Sequence, residues 1–374
     1  MKIGIITQPL HQNYGGLLQN FALQKVLQKL GHDTHTIKRN NTRRWYKTLI
    51  IDTLILLRRL IKNNYSLPLH RERAKITKNC TEFVKNNITT TKKYYNRQEF
   101  LDIIEKHHFD AFVVGSDQVW RPCYSTNIYD DFLTFCQNKK NIKRLAYAAS
   151  FGVTDWEFNE EQTKECSRLA KLFDAISVRE DSGVELCNKN LGVEATFVLD
   201  PTLLLEKEDY IKLVEQNNEE KSKGELFCYI LDTNPLIEKS IKNIEQKTSF
   251  KSFQVKAKYN INSIKKNCNI NDYIVPSPTK WLRAFMDAKM VFTDSFHGCV
   301  FSIIFNKPFW VIGNKERGNA RFASLLKLFN LENRIISLDD INNIDLSTPI
   351  NWEEVNTIKQ EWQKKSICFI NNNL

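Results

Sequence analysis

The stretch that decides the fold runs from Met290 to Pro308 and reads MVFTDSFHGCVFSIIFNKP. Its first three residues are apolar and predict a short buried strand, which stops at an acid, a hydroxyl and a histidine. The apolar-rich run that follows predicts a helix, with Pro308 just past its end. His297 therefore lies where a strand is followed by a helix N-terminus, whose unpaired N–H groups suit an anion. An imidazole beside a bound anion is a candidate proton donor.

Short apolar runs that end in small or polar residues recur on both sides of this stretch, with helical patterns between several of them. The candidate strands are 3–7, 34–38, 109–115, 145–150, 175–178, 226–231, 250–255, 290–293, 309–312 and 334–337. Alternation of this kind predicts parallel sheets with crossover helices. The sequence therefore predicts an α/β protein of two doubly wound, Rossmann-like domains that face each other across a cleft. Ligands in such sheets bind outside the carboxyl ends of the strands.

Composition predicts where one domain ends and the next begins. Residues 206–224 are charged and poor in large apolar groups, which is typical of a linker. We therefore expect an N-terminal domain at 1–205, a C-terminal domain at 225–350 and a closing helix within 351–374.

The overall composition is that of a globular protein with anionic partners. The chain has 374 residues, 42% of them hydrophobic, and a net charge of +11. That charge favours phosphates, acidic sugars, nucleic acid or a membrane surface. Its nine cysteines have neither C-x-x-C nor metal-ligand spacing, so we expect free thiols in the cytoplasm and no metal. The apolar run at 1–7 is too short for a signal peptide, and none elsewhere is long enough to span a bilayer.

Most of the positive charge lies in one segment, residues 38–75. It contains eleven Lys or Arg and two acids, Asp52 and Glu72, and so carries +9 of the net charge. Its centre, 45–61, predicts an apolar helix interrupted by charges. Such a helix either lies in an anionic membrane interface or packs on the domain with a basic outer face. Because no recognised nucleic-acid motif accompanies the charge, nucleic acid is not an expected partner.

Two segments at the ends of predicted elements carry candidate acceptor contacts. In GSDQVW, residues 115–120, Asp117 follows a strand and is a candidate to deprotonate or hold a sugar hydroxyl. Trp120 is a candidate to stack on a sugar ring. The alternative is that Ser116 or Asp117 caps a helix.

The second segment is the loop 12–16, which reads QNYGG and precedes a helical pattern. Its paired glycines allow close backbone approach, and the helix N-terminus that follows suits an anion. The alternative is a tight turn. Because the loop lacks the G-x-G-x-x-G spacing, it does not predict a dinucleotide site.

Arginines supply the candidate anion contacts. Arg179 follows the predicted strand 175–178, where its guanidinium suits carboxylate or phosphate; the alternative is a surface ion pair with Glu180 or Asp181. A second group of cations follows the predicted strand 309–312 and consists of Lys315, Arg317 and Arg321. These residues form either a phosphate pocket beside His297 or a solvated loop and helix start.

Taken in order, these segments resemble the polysaccharide pyruvyl transferases over nearly the whole chain. The matching segments are 13–16 with the helix up to 30–32, 110–120, 177–180, 199–202, 293–298 and 321–322. The resemblance implies a GT-B-like fold, no metal and no cofactor. It implies phosphoenolpyruvate as donor, a sugar hydroxyl pair as acceptor, and a cyclic pyruvate ketal as product.

The resemblance also implies roles for particular residues. His297 matches the family's histidine and Arg179 its donor-binding arginine. Ser295 stands where some members have an arginine, so Arg317 or Arg321 is expected to supply that charge. Together with the chemistry of the segments described above, this gives His297 and Asp117 as the expected catalytic residues. The expected donor-binding residues are Arg179, Ser295, Gly298, Arg317 and Arg321. The expected acceptor-binding residues are Asn13, Tyr14, Gly15, Gly16 and Trp120.

Three functions remain open from the sequence. The first is a pyruvyltransferase that modifies a bacterial surface polysaccharide, or its lipid-linked precursor, at the inner face of the cytoplasmic membrane. The acceptor's location would then explain a peripheral membrane contact through residues 38–75. The second is a GT-B glycosyltransferase that uses a nucleotide sugar. The third is a non-catalytic basic protein that binds nucleic acid or acidic glycan.

Overall fold

Two parallel β-sheets organise the chain. The computed structural model describes residues 1–39, 45–61, 67–261, 264, 268–313, 320–338 and 344–374. The first sheet has the order β2-β1-β3-β4-β5-β6. Its strands are β1 (Lys2–Ile6), β2 (Asp33–Thr36), β3 (Ala111–Val114), β4 (Lys143–Ala149), β5 (Ala175–Val178) and β6 (Thr196–Phe197). The second sheet has the order β11-β10-β9-β7-β8. Its strands are β7 (Leu226–Tyr229), β8 (Ser252–Phe253), β9 (Met290–Thr293), β10 (Phe309–Ile312) and β11 (Ile335–Ile336).

Helices connect the strands and cover the sheets. Those of the first half are α1 (Tyr14–Lys29), α2 (Trp45–Ile61), α3 (His70–Ile76), α4 (Lys78–Asn87), α5 (Arg97–His107), α6 (Ile128–Asp131), α7 (Glu160–Ala170) and α8 (Asp181–Leu186). Those of the second half are α9 (Lys207–Gln216), α10 (Pro235–Thr248), α11 (Pro278–Asp287), α12 (Phe296–Ile304), α13 (Ala320–Leu328) and α14 (Trp352–Asn373). The predicted α/β class with two Rossmann-like domains is confirmed.

Strand β1 is apolar on both faces because both faces are covered. Along β1, Ile3 and Ile5 belong to one buried cluster, whereas Ile6 belongs to the cluster on the opposite face. The first of these clusters continues into the second domain, where it includes Trp281 and Val300. The two domains therefore share one apolar core instead of meeting only through polar loops.

The segment predicted as a linker contains helix α9. Its apolar residues Tyr210, Leu213 and Val214 are buried, and the Tyr210 ring contacts Phe301 of α12 at a centroid distance of 5.0 Å. These three residues are spaced i, i+3 and i+4, so they form one helix face despite the charged composition. The connection between the sheets is thus packed against the second domain.

Helix α14 returns from the second half of the chain to the first domain. The Leu199 N–H donates to Ser366 Oγ (3.1 Å), and Gln363 Nε2 donates to the Leu203 carbonyl (2.7 Å). These bonds hold the 3₁₀ turn Pro201–Leu204, which follows β6. The helix therefore supports the residues at the carboxyl edge of the first sheet.

Helix α2 turns its apolar residues outward. Among the side chains of α2 that the structure describes, Ile55 alone is buried. Exposed apolar residues of the helix include Tyr46, Leu49, Ile50 and Leu54. The expectation of a packed helix with a basic outer face is wrong, because an amphipathic pattern alone does not say which face meets the protein. Within the part of the chain that the structure describes, no helix is both long and apolar enough to cross a membrane.

The α14 contact predicts a stability difference between two glutamines of the same helix. Gln363→Leu leaves the buried Leu203 carbonyl without its donor and should lower the free energy of unfolding by about 1–3 kcal/mol. Gln360→Leu, at an exposed position of the same helix, is the matched control and should change it by less than about 0.5 kcal/mol. Urea unfolding measures both, and equal losses would show that the bond contributes nothing specific.

Candidate active site

A buried cluster of charges lies at the carboxyl edge of the first sheet. Arg179 follows β5, Asp117 follows β3 and Asp200 follows β6, so the parallel strands bring all three to one edge. Arg179 Nη1 lies 2.7 Å from Asp200 Oδ2, and Nη2 lies 3.2 Å from Asp117 Oδ1. The alternative for Arg179, a surface ion pair with Glu180 or Asp181, is therefore wrong, because the guanidinium is buried and paired with other carboxylates.

Asp200 is the most heavily bonded member of this cluster. It accepts hydrogen bonds from the Thr202 N–H (3.0 Å), Thr202 Oγ1 (2.7 Å) and Ser116 Oγ (3.2 Å). Burial by itself would raise its pKa, but His297, Arg179 and Thr202 hold that pKa well below its ordinary value. Asp200 is therefore a fixed anion.

His297 reaches this cluster from the second domain. It lies in the first turn of α12, and its Nε2 is 3.8 Å from Asp200 Oδ2, which is ion-pair distance but longer than a hydrogen bond. The side chain is buried, and Nε2 has no hydrogen-bond partner among the described residues. The imidazole is thus held beside an anion with one ring nitrogen available.

The turn that carries His297 is fixed by its neighbours. Ser295 is the N-cap of α12 and accepts from the Gly298 N–H (3.4 Å). A Cβ on Gly298 would lie 2.3 Å from Thr293 Oγ1, so only glycine fits there. Ser295 and Gly298 therefore shape the turn, and their expected contacts with a donor stay predictions.

Asp294 connects this turn to the loop after β7. It accepts hydrogen bonds from the N–H groups of Leu231 (2.8 Å) and Asp232 (2.9 Å). Asp294, which lies between β9 and α12, thus holds the backbone of the neighbouring loop through these two hydrogen bonds.

The glycine pair begins helix α1 instead of ending a loop. The helix starts at Tyr14, three residues before the predicted start, with Asn13 as the N-cap that accepts from the Gly16 N–H (3.3 Å). A Cβ on Gly15 would lie 2.0 Å from His297 Nδ1. Gly15 therefore permits the first domain to contact the imidazole.

Tyr14 joins the two domains. Its hydroxyl donates to the Pro276 carbonyl (3.0 Å), and its ring lies 5.6 Å from that of Trp281. Tyr14 therefore contacts the second domain through both its hydroxyl and its ring. The acceptor-binding role expected for Asn13, Tyr14, Gly15 and Gly16 stays a prediction.

The prediction that Trp120 stacks on a sugar is wrong. Its side chain has no exposed surface, its ring stacks on Phe132 at 4.7 Å, and its Nε1 donates to the Asp131 carbonyl (3.1 Å). The chain turns inward after Asp117, whose φ is +63°, so the indole enters the core.

A second buried arginine approaches from the other domain. The guanidinium carbons of Arg179 and Arg321 lie 4.7 Å and 5.6 Å from the centroid of the same ring, Phe296. Burial and then the charge of Arg179 lower the pKa of Arg321 to about 10. Two buried cations close together favour an anion between or beside them. Arg317, the other expected cation, lies outside the described residues, as does Lys315.

Two acids of the site were not singled out from the sequence. Asp200 follows the apolar pair Val198-Leu199, which is the signal that identified Asp117. Glu180 is fully buried, and burial raises its pKa despite the nearby Arg179. Its Oε1 accepts from Ser150 Oγ and from the Gly152 N–H (2.9 Å). Among the described residues no group of three His, Cys, Asp or Glu side chains forms a metal-binding arrangement.

A comparison with models of known protein families identifies the family of this chain. The family model described as polysaccharide pyruvyl transferase matches residues 13–316. The chain belongs to the polysaccharide pyruvyl transferase family. This membership makes the protein a transferase of polysaccharide pyruvylation, with a sugar or polysaccharide acceptor. A comparison with curated proteins found no significant match.

Solved structures with similar folds show the architecture of this pyruvyl transferase. One is UDP-GlcNAc 2-epimerase from Neisseria meningitidis bound to UDP-GlcNAc, with 11% identity, coverage of 98% of this chain and 94% of that one, and a TM-score of 0.51. Another is the spinosyn forosaminyltransferase SpnP, with 10% identity, coverage of 97% and 95%, and a TM-score of 0.50. At these identities the likeness shows the fold alone, and the predicted GT-B-like fold is confirmed.

The buried cluster predicts a pH-dependent stability. Asp200→Asn leaves Arg179 with one carboxylate and should lower the free energy of unfolding at pH 7 by about 3–5 kcal/mol. The folded state holds the pKa of Asp200 below its unfolded value of about 3.9. The charged carboxylate therefore stabilises the folded protein above about pH 3.9, and this stabilisation is lost as the pH falls below that value.

Denaturant unfolding at pH 7 and at several values below about 4 measures this effect. The gap between wild type and Asp200→Asn should narrow in acid. The control Asp209→Asn removes a partly exposed pair with Lys29 and should cost less than about 1 kcal/mol. A gap that stays constant with pH would contradict the role given to the Asp200 charge.

Proposed function

We propose that this transferase moves the enolpyruvyl-derived group of phosphoenolpyruvate onto a pair of sugar hydroxyls, which forms a cyclic pyruvate ketal and releases phosphate. The observation that carries the proposal is the pair of buried arginines, Arg179 and Arg321, against the Phe296 ring. Phosphoenolpyruvate bears a phosphate and a carboxylate, so its site needs more than one cation. His297 directly follows Phe296 in the chain.

The chemistry requires a proton at the methylene carbon of the donor. We assign this proton to the His297 imidazolium, which leaves a cationic centre on the adjacent carbon. One acceptor hydroxyl attacks that carbon, phosphate then leaves, and the second hydroxyl closes the ketal ring. The two hydroxyl protons balance the reaction: one restores the imidazolium and the other leaves with phosphate.

The contacts of the two arginines suggest separate tasks. Both Nη atoms of Arg179 already hold carboxylates, and its Nε has no hydrogen-bond partner among the described residues. We therefore assign Arg179 to hold Asp117 and Asp200 and to meet the donor through Nε. Arg321 and the N-terminus of α12 supply the remaining positive charge. Asp117, beside Gly16, is the proposed contact for the acceptor hydroxyl.

A nucleotide-sugar glycosyltransferase is the second candidate. The fold is shared with a forosaminyltransferase, and that likeness is the observation in its favour. The family match favours the pyruvyl reaction instead.

Replacement of the proposed acid should strongly reduce turnover without unfolding the protein. His297→Ala should lower phosphate release from phosphoenolpyruvate by about 10²–10⁴-fold, the usual contribution of general acid catalysis. The assay uses a panel of simple and lipid-linked galactosides, with mass spectrometry of the product. His70→Ala, which changes an exposed histidine, is the control. Near-normal turnover in His297→Ala would remove the general-acid role.

We further propose that the protein lies peripherally on the inner face of the cytoplasmic membrane, where a lipid-linked acceptor would be found. The outward stripe of α2 supports this proposal. Its members are spaced i, i+3, i+4, i+8 and i+11 and are 41–59% exposed: Tyr46, Leu49, Ile50, Leu54 and Leu57. A contiguous exposed apolar stripe of this kind marks an interaction surface.

The polar side chains of α2 attach it to the protein. Asp52 accepts from the His70 N–H (3.0 Å), and Arg59 pairs with Glu72 (2.7 Å). These contacts fix the helix with its apolar stripe outward. Lys47 and Arg58 are exposed on the same helix, within the segment that carries +9. An anionic lipid surface complements both properties.

Vesicle sedimentation tests the membrane contact. Leu54→Glu should weaken binding to vesicles rich in phosphatidylglycerol about tenfold or more, because it removes an exposed leucine that the membrane would bury and adds a negative charge. Leu236→Glu, an exposed leucine of the second domain, should leave binding unchanged. Equal binding to neutral vesicles, or no binding, would contradict the proposal.

A further inference from the structure

Glu180 is a buried carboxyl group to which the reaction described above gives no task. It directly follows Arg179 in the chain, and its side chain has no exposed surface. Its Oε1 accepts hydrogen bonds from Ser150 Oγ and from the Gly152 N–H (2.9 Å). Its Oε2 is buried and has no hydrogen-bond partner among the described residues. Because a buried carboxylate with an unpartnered oxygen is costly, this environment favours the neutral form of the group.

Three charged or titratable groups face Glu180. They are Arg179 beside it, Arg321 on α13 and Cys187 directly after α8. Burial raises the pKa of the Cys187 thiol to about 12, so this group stays neutral. Of the three, the two guanidinium groups are therefore the ones that favour an ionised Glu180.

The arginine pair is already balanced by other carboxylates. Both Nη atoms of Arg179 hold Asp117 and Asp200, at 3.2 Å and 2.7 Å. Arg179 and Arg321 carry two positive charges against the two negative charges of these aspartates. Before the His297 imidazole is counted, an ionised Glu180 would thus give the buried site a surplus negative charge. A phosphate or carboxylate that enters the site would meet like charge, which favours the protonated form of a neighbouring acid.

We propose that donor binding is linked to a proton on Glu180, so that phosphoenolpyruvate binds to the protein in which this carboxyl group is neutral. Glu180 is then a positioning residue. Its neutral form keeps Oε1 as the acceptor for Ser150 and Gly152 and leaves the charge of Arg321 to the donor. The proton comes from solvent when the donor binds and returns to solvent after phosphate leaves. The inference rests on the function proposed above and adds a pH dependence to its donor site.

Titration calorimetry with phosphoenolpyruvate, from about pH 6 to about pH 9, tests the proposal. Glu180→Gln keeps an oxygen acceptor for Ser150 and Gly152 but is neutral at every pH. In acid the two proteins should bind the donor equally. At the alkaline end Glu180→Gln should bind it about tenfold or more tightly than the wild type, since one linked proton changes affinity by up to about tenfold per pH unit. Both proteins meet the same ionisation state of the donor at each pH, so the ratio of their affinities isolates Glu180.

A matched control and a second probe accompany this comparison. Glu185→Gln, which changes an exposed acid of α8, should bind the donor as the wild type does at each pH. Sulfate, which keeps its charge over this range, should show the same pH-dependent ratio between wild type and Glu180→Gln. A second measurement leaves Glu180 unchanged. The heat of sulfate binding to His297→Gln in two buffers of different ionisation enthalpy should show uptake of up to about one proton.

The outcomes separate this inference from the proposed function. A ratio that stays constant with pH would overturn the inference, and so would sulfate binding without proton uptake. Weaker binding by Glu180→Gln at every pH would overturn it as well, because that pattern belongs to a residue with a structural role only. If sulfate shows the pH-dependent ratio and phosphoenolpyruvate does not bind, the link to Glu180 holds and the proposed donor is contradicted. Binding of neither anion would contradict both.

Discussion

The buried ion pair between Arg179 and Asp200, 2.7 Å long, is the interaction on which the site depends. Each charge would be destabilising in the core without the other, since desolvation costs several kcal/mol per ion. The remaining bonds of Asp200, to Thr202 and Ser116, hold its carboxylate in one position. Helix α14 supports the turn that carries Thr202. Because this carboxylate is fixed, it is the group beside which the His297 imidazole of the second domain lies, at 3.8 Å.

The contact between the domains explains why the site combines residues from both. The apolar core continues across them, and Asp181 N–H donates to Ser324 Oγ of α13 (3.1 Å). Helix α13 also carries Arg321, so this hydrogen bond helps to place the second guanidinium beside the first. The result is a buried site that combines two guanidinium groups and an imidazole with the carboxylates of Asp117 and Asp200, both of which pair with Arg179.

Much of this arrangement was predictable from the sequence, and the failures have physical causes. Buried parallel strands are apolar throughout, so the succession of strands and helices along the chain, and the positions of Arg179, Asp117 and His297 after strands, followed from the pattern. Asp200 had the same signal, but which carboxylate pairs with Arg179 depends on strand order in space. The predictions of a sugar-stacking Trp120 and of a packed α2 are wrong because the sequence shows that a residue or a helix face is apolar, but not whether the protein covers it.

The central claim is that the arginine pair binds phosphoenolpyruvate, and ligand-induced thermal stabilisation tests it most directly. The account predicts that phosphoenolpyruvate raises the melting temperature of the wild-type protein with increasing concentration. The increase should be much smaller in Arg321→Leu, while uridine diphosphate should have little effect on either protein. Stabilisation by uridine diphosphate with none by phosphoenolpyruvate would contradict the account and favour a nucleotide-sugar glycosyltransferase.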